Sequence, residues 1–134
     1  YKIEKNHNPQ FIKELIESAV DIHYLVNITG HGWRKLMRAA QPFTYEINDI
    51  GLVPEVFRYI QKKSLLSDKE MYATFNMGAG FAVLVNPRVA DKVLAITKKL
   101  KIKAWLAGQV INGAKRVKIN PPGIIYNAKD LKIR

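Results

Sequence analysis

The sequence has no cysteine among its 134 residues, and this absence excludes several kinds of chemistry. A disulfide framework, a thiolate metal site and a cysteine nucleophile are all ruled out. The sequence also lacks an apolar run of about 20 residues, which a membrane-spanning helix needs, and it lacks the succession of basic, apolar and small residues that marks a signal peptide. The histidines show no ligand spacing. We therefore expect a cytoplasmic protein without a membrane partner or a metal site.

Acidic residues are also scarce, with 11 Asp and Glu against 22 Lys and Arg, and the net charge is +11. Such an excess suits nucleic-acid binding. However, the basic residues occur in scattered pairs such as Lys62-Lys63 and Lys98-Lys99, without interleaved aromatics or a known DNA-binding motif. A lysine-rich surface, as in heat-loving organisms, or an acidic partner domain explains the charge better. We therefore expect no nucleic-acid partner.

The length and the 48% hydrophobic content predict one compact domain over residues 1–134, with residues 120–134 as a C-terminal extension. Because the first residue is Tyr1 rather than Met, we expect a fragment of a longer protein. Apolar spacing predicts helices over residues 9–20, 33–40 and 87–100, and Asn8 and Pro9 form a start signal for the first of them. Another helix is predicted from Pro54, and the capping-box spacing of Ser67 and Glu70 predicts the start of a short helical turn. Strands are predicted at 24–28, 43–47, 81–85, 104–111, 116–119 and 124–126, and Asn112-Gly113 predicts a hairpin turn. This order indicates an α+β fold, a layered mixed β-sheet with helices.

Two glycine-bearing segments are candidates for chemistry. Thr29-Gly30-His31-Gly32 lies between a predicted strand and a predicted helix, where free backbone amides suit an anion. Arg34, Lys35 and Arg38 follow, and the four-residue spacing predicts Arg34 and Arg38 on one helical face. The alternative is that the glycines serve only the turn and the cations are solvated.

The second segment precedes a predicted buried strand and contains Asn76, Gly78 and Gly80. The glycines permit close backbone packing or a bulge, and Asn76 is able either to cap the backbone or to contact a ligand. Spacing alone leaves both roles open.

An ordered set of short motifs resembles the carboxy-terminal domain of the phosphoribosylformylglycinamidine cyclo-ligase family, also called aminoimidazole ribonucleotide synthetases. The motifs are Ile28-Thr29-Gly30-His31-Gly32, Pro54-Glu55-Val56-Phe57, Glu70-Met71-Tyr72, Thr74-Phe75-Asn76, Gly78, Gly80 and Ala104-Trp105 through Gly108. The resemblance implies an ATP-dependent ring closure in purine biosynthesis. It also implies ATP and Mg²⁺ bound mainly by an amino-terminal domain outside this chain, a homodimer when intact, and a phosphorylated small-molecule substrate.

The resemblance places the substrate or phosphate contact at the loop Thr29-Gly30-His31-Gly32. The residues themselves add Arg34, Arg38, Asn76 and Gly78 as candidate contacts, because cations and small polar groups beside glycines are able to reach a bound anion. The sequence departs from the family at His31, where three consecutive glycines are usual, and at Arg34-Lys35, near which a Glu-Asn pair is usual. His31 is the candidate catalytic residue because an imidazole is able to donate a hydrogen bond or shuttle a proton near neutral pH. The alternative for His31 is a turn residue at positive φ.

Two other functions stay open beside that of a cyclo-ligase domain. One is a related ATP-utilising protein with a different phosphorylated substrate. The other is a non-catalytic packing or dimerisation domain, supported by the changed Arg34-Lys35 segment. Because we expect a partner domain outside this chain, we also expect exposed apolar surface where that domain would pack, around residues 24–28 and 81–85. Because the chain contains no phosphate-cradling glycine-lysine loop, we expect no ATP turnover by this chain alone.

Overall fold

The computed structural model describes residues 2–131 and has the α+β organisation that the sequence predicts. It contains four α-helices, six β-strands and three 3₁₀ helices (η) within those residues. In chain order they are α1 (Lys2–Glu17), β1 (Ile22–Asn27), η1 (Gly32–Arg38), β2 (Phe43–Ile47), α2 (Glu55–Ser64), α3 (Asp68–Thr74), β3 (Phe81–Val85), η2 (Pro87–Val89), α4 (Ala90–Lys99), β4 (Gly108–Asn112), β5 (Arg116–Ile119), β6 (Ile124–Asn127) and η3 (Ala128–Asp130). None of the helices described is long and apolar enough to cross a membrane.

The described residues divide into two compact units, one of residues 2–25 and 83–106 and one of residues 26–82 and 107–131. The first unit is built on α1 and α4. Its buried core contains Phe11, Leu15, Val20, Val93 and Ile96. Phe11 and Leu15 on α1, and Val93 and Ile96 on α4, recur at helical spacing, so each helix has one apolar face to bury.

The first helix differs from the prediction at its start. Pro9 was expected to open the helix, but Pro9 lies inside α1. Proline lacks the backbone N–H and crowds the preceding turn, so a sequence rule places it at a helix start. The rule was wrong here, and the predicted cap at Asn8 does not mark the beginning of α1.

The second unit contains a four-stranded mixed sheet in the order β4-β2-β5-β6. β2 pairs with β4 in the antiparallel sense and with β5 in the parallel sense, and β5 pairs antiparallel with β6. Alternate side chains of β5 and β6 are buried, namely Val117, Ile119, Ile124 and Tyr126. The mixed sheet and the period-two burial confirm the predicted fold class.

The predicted hairpin between β4 and β5 is wrong, because β2 lies between these two strands. Asn-Gly favours a tight turn locally, but here the three residues after β4 cross the end of β2. Thr44, which is buried, donates its hydroxyl to the carbonyl of Ala114 at 2.9 Å and accepts from Nε of Arg116 at 3.3 Å. Tertiary pairing on both edges of β2 therefore overrides the local turn signal.

A second, two-stranded sheet is formed by β1 and β3. Every residue of β3 is half-buried, whereas the continuous apolar run had predicted a buried strand. The predicted strand itself is confirmed. Beyond the strand ends, the amide of Ile28 donates to the carbonyl of Gly80 at 2.9 Å.

The helix predicted at 33–40 is a 3₁₀ helix of seven residues, η1. Its buried side Trp33, Leu36 and Met37 packs inside the second unit. Helix α3 begins with the predicted capping box: Ser67 accepts from the amide of Glu70 at 3.3 Å, and Glu70 accepts from the amide of Ser67 at 2.8 Å. These short elements position the two glycine segments.

Candidate functional site

The segment Thr29–Gly32, which we call the glycine loop, connects β1 to η1. Gly30 has φ +69 and is exposed, with open space where a Cβ would be. Gly32 has φ +52 and is buried, and a Cβ there would lie 2.1 Å from the carbonyl oxygen of Tyr72. The two glycines therefore have different structural roles. Gly30 leaves the backbone exposed to solvent, and Gly32 allows the loop to approach α3 closely.

His31 lies between these glycines with φ −114. The alternative of a histidine at positive φ is therefore wrong, because the left-handed conformations belong to its two neighbours. Its amide donates to the carbonyl of Thr29 at 2.7 Å, which makes the loop a tight turn. The half-buried imidazole has its Nδ1 3.4 Å from Nη2 of Arg38.

The basic side chains of η1 do not face the glycine loop in the predicted combination. An α-helix would bring Arg34 and Arg38 to one face, but in a 3₁₀ helix side chains three residues apart align. The loop is accordingly met by Lys35 and Arg38. Nζ of Lys35 donates to Oγ1 of Thr29 at 2.8 Å, and Arg38 approaches His31. Sequence reasoning noted Lys35 only as a nearby cation, because the 3₁₀ spacing was not evident.

Lys35 and Arg38 place two positive charges beside the glycine loop. Burial, and then the positive charge of Arg38, lower the pKa of the Lys35 ammonium below that of an ordinary lysine. Two cations this close repel, and an anion between them would relieve the repulsion. No group of three metal-ligating side chains exists among the described residues.

Arg34 points to α3 and to the C-terminal turn. Its Nε lies 3.2 Å from the carbonyl of Ala73 and its Nη2 2.7 Å from the same oxygen. Its Nη1 donates to the carbonyl of Asp130 at 2.9 Å. Three of its nitrogens are therefore engaged with the backbone, and its role as an anion contact stays a prediction.

The second glycine segment forms a turn after α3. Oδ1 of Asn76 accepts from the amide of Gly78 at 2.9 Å, and Met77 and Gly78 both have positive φ. A Cβ at Gly78 would lie 2.7 Å from Cδ of Pro54. The side-chain oxygen of Asn76 thus caps the backbone in this structure, while Gly78 permits close packing. Their predicted contact with a ligand is untested.

Trp33 joins the two glycine segments. Its Nε1 donates to the carbonyl of Asn76 at 3.1 Å, and its ring lies 6.0 Å from that of Tyr72. Both rings are buried. The structure thus brings five residues together at the loop and places the Asn76 turn behind them. The five are Thr29, Gly30, His31, Lys35 and Arg38.

Comparison with known proteins shows which family this sequence resembles. Residues 8–120 match the family model described as "AIR synthase related protein, C-terminal domain". A phosphoribosylformylglycinamidine cyclo-ligase of Methanococcus vannielii is 37% identical over 99 residues, which cover 74% of this chain and 28% of that protein. The proteins of the same name from Methanocaldococcus jannaschii and Methanothermobacter thermautotrophicus are 35% and 36% identical, over 76% and 81% of this chain and 30% and 31% of those proteins.

The chain therefore spans less than a third of the length of these relatives. Within that part, the family model includes both glycine segments, η1 and the strands β1 to β5. Because the match covers most of the described residues, this chain belongs to the family of AIR synthase related C-terminal domains.

Proposed function

We propose that this chain is the carboxy-terminal substrate-cleft domain of an ATP-dependent cyclo-ligase. The reaction converts formylglycinamidine ribonucleotide to aminoimidazole ribonucleotide in purine biosynthesis. The formyl oxygen is phosphorylated and is then displaced by an internal nitrogen. The family match and the names of the relatives support this reaction. ATP and Mg²⁺ belong mainly to an amino-terminal domain, and the intact protein is a cytoplasmic homodimer.

The glycine loop binds a phosphate group of the substrate in this proposal. The observation that carries it is the convergence of Lys35 and Arg38 on the loop, through Thr29 and His31. Phosphoryl transfer depends on positioning and on electrostatic stabilisation more than on covalent work by protein groups. A turn with an exposed glycine at position 30 and two cations supplies both. A seven-residue 3₁₀ helix adds little field of its own, so the side chains are the main source.

His31 has a distinct part in this proposal. Its imidazole is half-buried beside Arg38. A neutral imidazole carries one N–H donor and one acceptor nitrogen. His31 would therefore orient a substrate oxygen or move a proton at the phosphate.

A titration with inorganic phosphate, followed by backbone amide shifts, tests the binding site. The largest shifts are expected at Gly30, His31 and Gly32. Lys35→Ala should weaken binding about tenfold, since it removes a charge-assisted contact. Lys98→Ala, an exposed lysine on α4, is the matched control. Shifts confined to scattered surface lysines would contradict the site.

A packing role is the second candidate, and exposed apolar side chains favour it. Leu52, Val56 and Tyr59 are 71%, 53% and 63% exposed at and before α2. Val56 and Tyr59 are three residues apart and so lie on neighbouring positions of the helix. Size-exclusion chromatography of the wild type and of Val56→Ser with Tyr59→Ser tests it. Loss of self-association in the double variant supports a packing surface, and a strictly monomeric wild type contradicts self-association there.

A further inference from the structure

We infer that Arg34 is a positioning residue, which fixes the glycine loop against α3 and against η3, and that η3 thereby supports the site. This inference rests on the proposed anion-binding function of the loop. It assigns Arg34 a role that acts through its neighbours. It also gives a function to residues 128–130, which lie beyond the family match that ends at residue 120.

The guanidinium of Arg34 reaches three separate parts of the second unit. Nε lies 3.4 Å from the carbonyl of His31 and 3.2 Å from that of Ala73, Nη2 donates to Ala73 at 2.7 Å, and Nη1 donates to Asp130 at 2.9 Å. One planar group therefore joins the loop, the end of α3 and η3. A guanidinium presents its donors in a fixed fork, so the three acceptors are held in a defined mutual geometry.

The contact with His31 is made to the loop backbone. At 3.4 Å it is the longest of the set, while both nitrogens facing Ala73 are closer. The strong anchor is therefore α3, and Arg34 fixes the loop relative to that anchor. Gly32 contributes to the same junction, because its backbone packs within van der Waals distance of Tyr72 and Ala73.

The third acceptor is placed by its own local structure. Oδ2 of Asp130 accepts from the amide of Asn127 at 2.7 Å and closes the short turn η3. The preceding strand β6 is attached to α3, since the hydroxyl of Tyr126 donates to the carbonyl of Lys69. These contacts hold the Asp130 carbonyl where Nη1 of Arg34 meets it. A change in η3 should therefore reach the loop through Arg34.

The Arg34→Lys variant separates positioning from charge. Arg34→Lys keeps the positive charge, but one ammonium cannot meet all three carbonyls with the geometry of a guanidinium. If Arg34 were simply a cation for the anion, the variant would bind inorganic phosphate as the wild type does. Under the positioning role, we expect phosphate binding about tenfold weaker and amide hydrogen exchange at His31 about tenfold faster without ligand. Exchange at Val117 and Ile119 in β5 should stay unchanged.

A second experiment tests the role of η3 with a pair of variants that leave the sequence of the glycine loop unchanged. Asp130→Ala removes the acceptor that closes η3, whereas Asp130→Asn keeps an acceptor oxygen. We expect Asp130→Ala to raise exchange at His31 and Asp130→Asn to match the wild type. Lys129→Ala, an exposed change in the same turn, is the control.

Two results overturn the inference. One is an amide exchange rate at His31 that is the same in Arg34→Lys as in the wild type. The other is an exchange rate at His31 that Asp130→Ala leaves unchanged. Failure of wild-type protein to bind phosphate at the loop would instead overturn the proposed anion site. The exchange measurement needs no ligand, so it decides the role of Arg34 in either case.

Discussion

The indole nitrogen of Trp33 donates a hydrogen bond to the backbone carbonyl of Asn76 at 3.1 Å. Trp33 directly follows the glycine loop, and Asn76 lies in the second glycine segment, 43 residues further along the chain. Trp33 is 2% exposed, so the bond is made away from bulk water. A buried donor or acceptor that lost its partner there would lower the free energy of unfolding. The indole thus fixes the start of η1 to the turn that follows α3.

Trp33→Phe should lower the free energy of unfolding by about 2–4 kcal/mol. The change leaves the Asn76 carbonyl without this donor and opens space beside Tyr72. Urea denaturation measures the loss. Phe57→Leu, a buried aromatic change elsewhere in the same unit, shows the cost of lost volume without a lost hydrogen bond. A loss below about 0.5 kcal/mol would mean that the bond contributes little.

The two loop glycines should respond differently to alanine. Gly32→Ala places a Cβ 2.1 Å from the carbonyl oxygen of Tyr72 and should cost more than about 3 kcal/mol of unfolding free energy. In Gly30→Ala the added Cβ would lie in open space. Only the positive φ is then unfavourable, and we expect the free energy of unfolding to fall by about 1 kcal/mol. Denaturation of both variants under one condition gives the comparison. Equal losses would show that close packing at Gly32 is unimportant.

Anion binding at the loop should depend on the titration of Lys35. Burial and the charge of Arg38 lower the Lys35 pKa. As the pH rises, this ammonium therefore loses its proton before a lysine with the reference pKa of about 10.4 does. Affinity for sulfate, which stays dianionic, should therefore fall as pH rises through the lowered Lys35 pKa. Bound sulfate should raise that pKa in turn.

Calorimetric titration with sulfate over the alkaline range measures this step, and Lys35→Ala should abolish it. Lys98→Ala should retain it, since Lys98 is exposed on α4. A step that persists in Lys35→Ala would assign the titration to another group.

Tyr126 should make stability depend on pH at the alkaline end. Burial, more than any charge, raises the pKa of its phenol in the folded state, and the hydroxyl donates to the carbonyl of Lys69. The raised pKa means that its contribution is complete below the unfolded value of about pH 10. That contribution is lost as pH rises from there through the folded pKa.

Tyr126→Phe should cost about 1 kcal/mol at neutral pH through the lost hydrogen bond. The difference from the wild type should shrink above about pH 10. Urea denaturation at several pH values follows it, with Tyr59→Phe, 63% exposed, as the control. A difference that is constant with pH would show that Tyr126 has an ordinary pKa in the folded state.

Local signals in the sequence were reliable where a few neighbouring residues satisfy one another. The capping box of Ser67 and Glu70 was read from a three-residue spacing and is confirmed. Alternation along Phe43–Ile47 predicted β2, and both glycine segments were found from their place beside strands. These features depend on backbone hydrogen bonds within one turn or on the period of one strand.

The sequence by itself thus determined the α+β fold class, the positions of most elements and the family resemblance. Tertiary structure decided which strands are neighbours: β2 enters between β4 and β5 because its two edges each gain a ladder, which no local turn signal reveals. It also decided which cations meet the loop. The 3₁₀ helix η1 buries Trp33 and Leu36, and its three-residue period sends Lys35 and Arg38 to the loop and Arg34 to distant carbonyls.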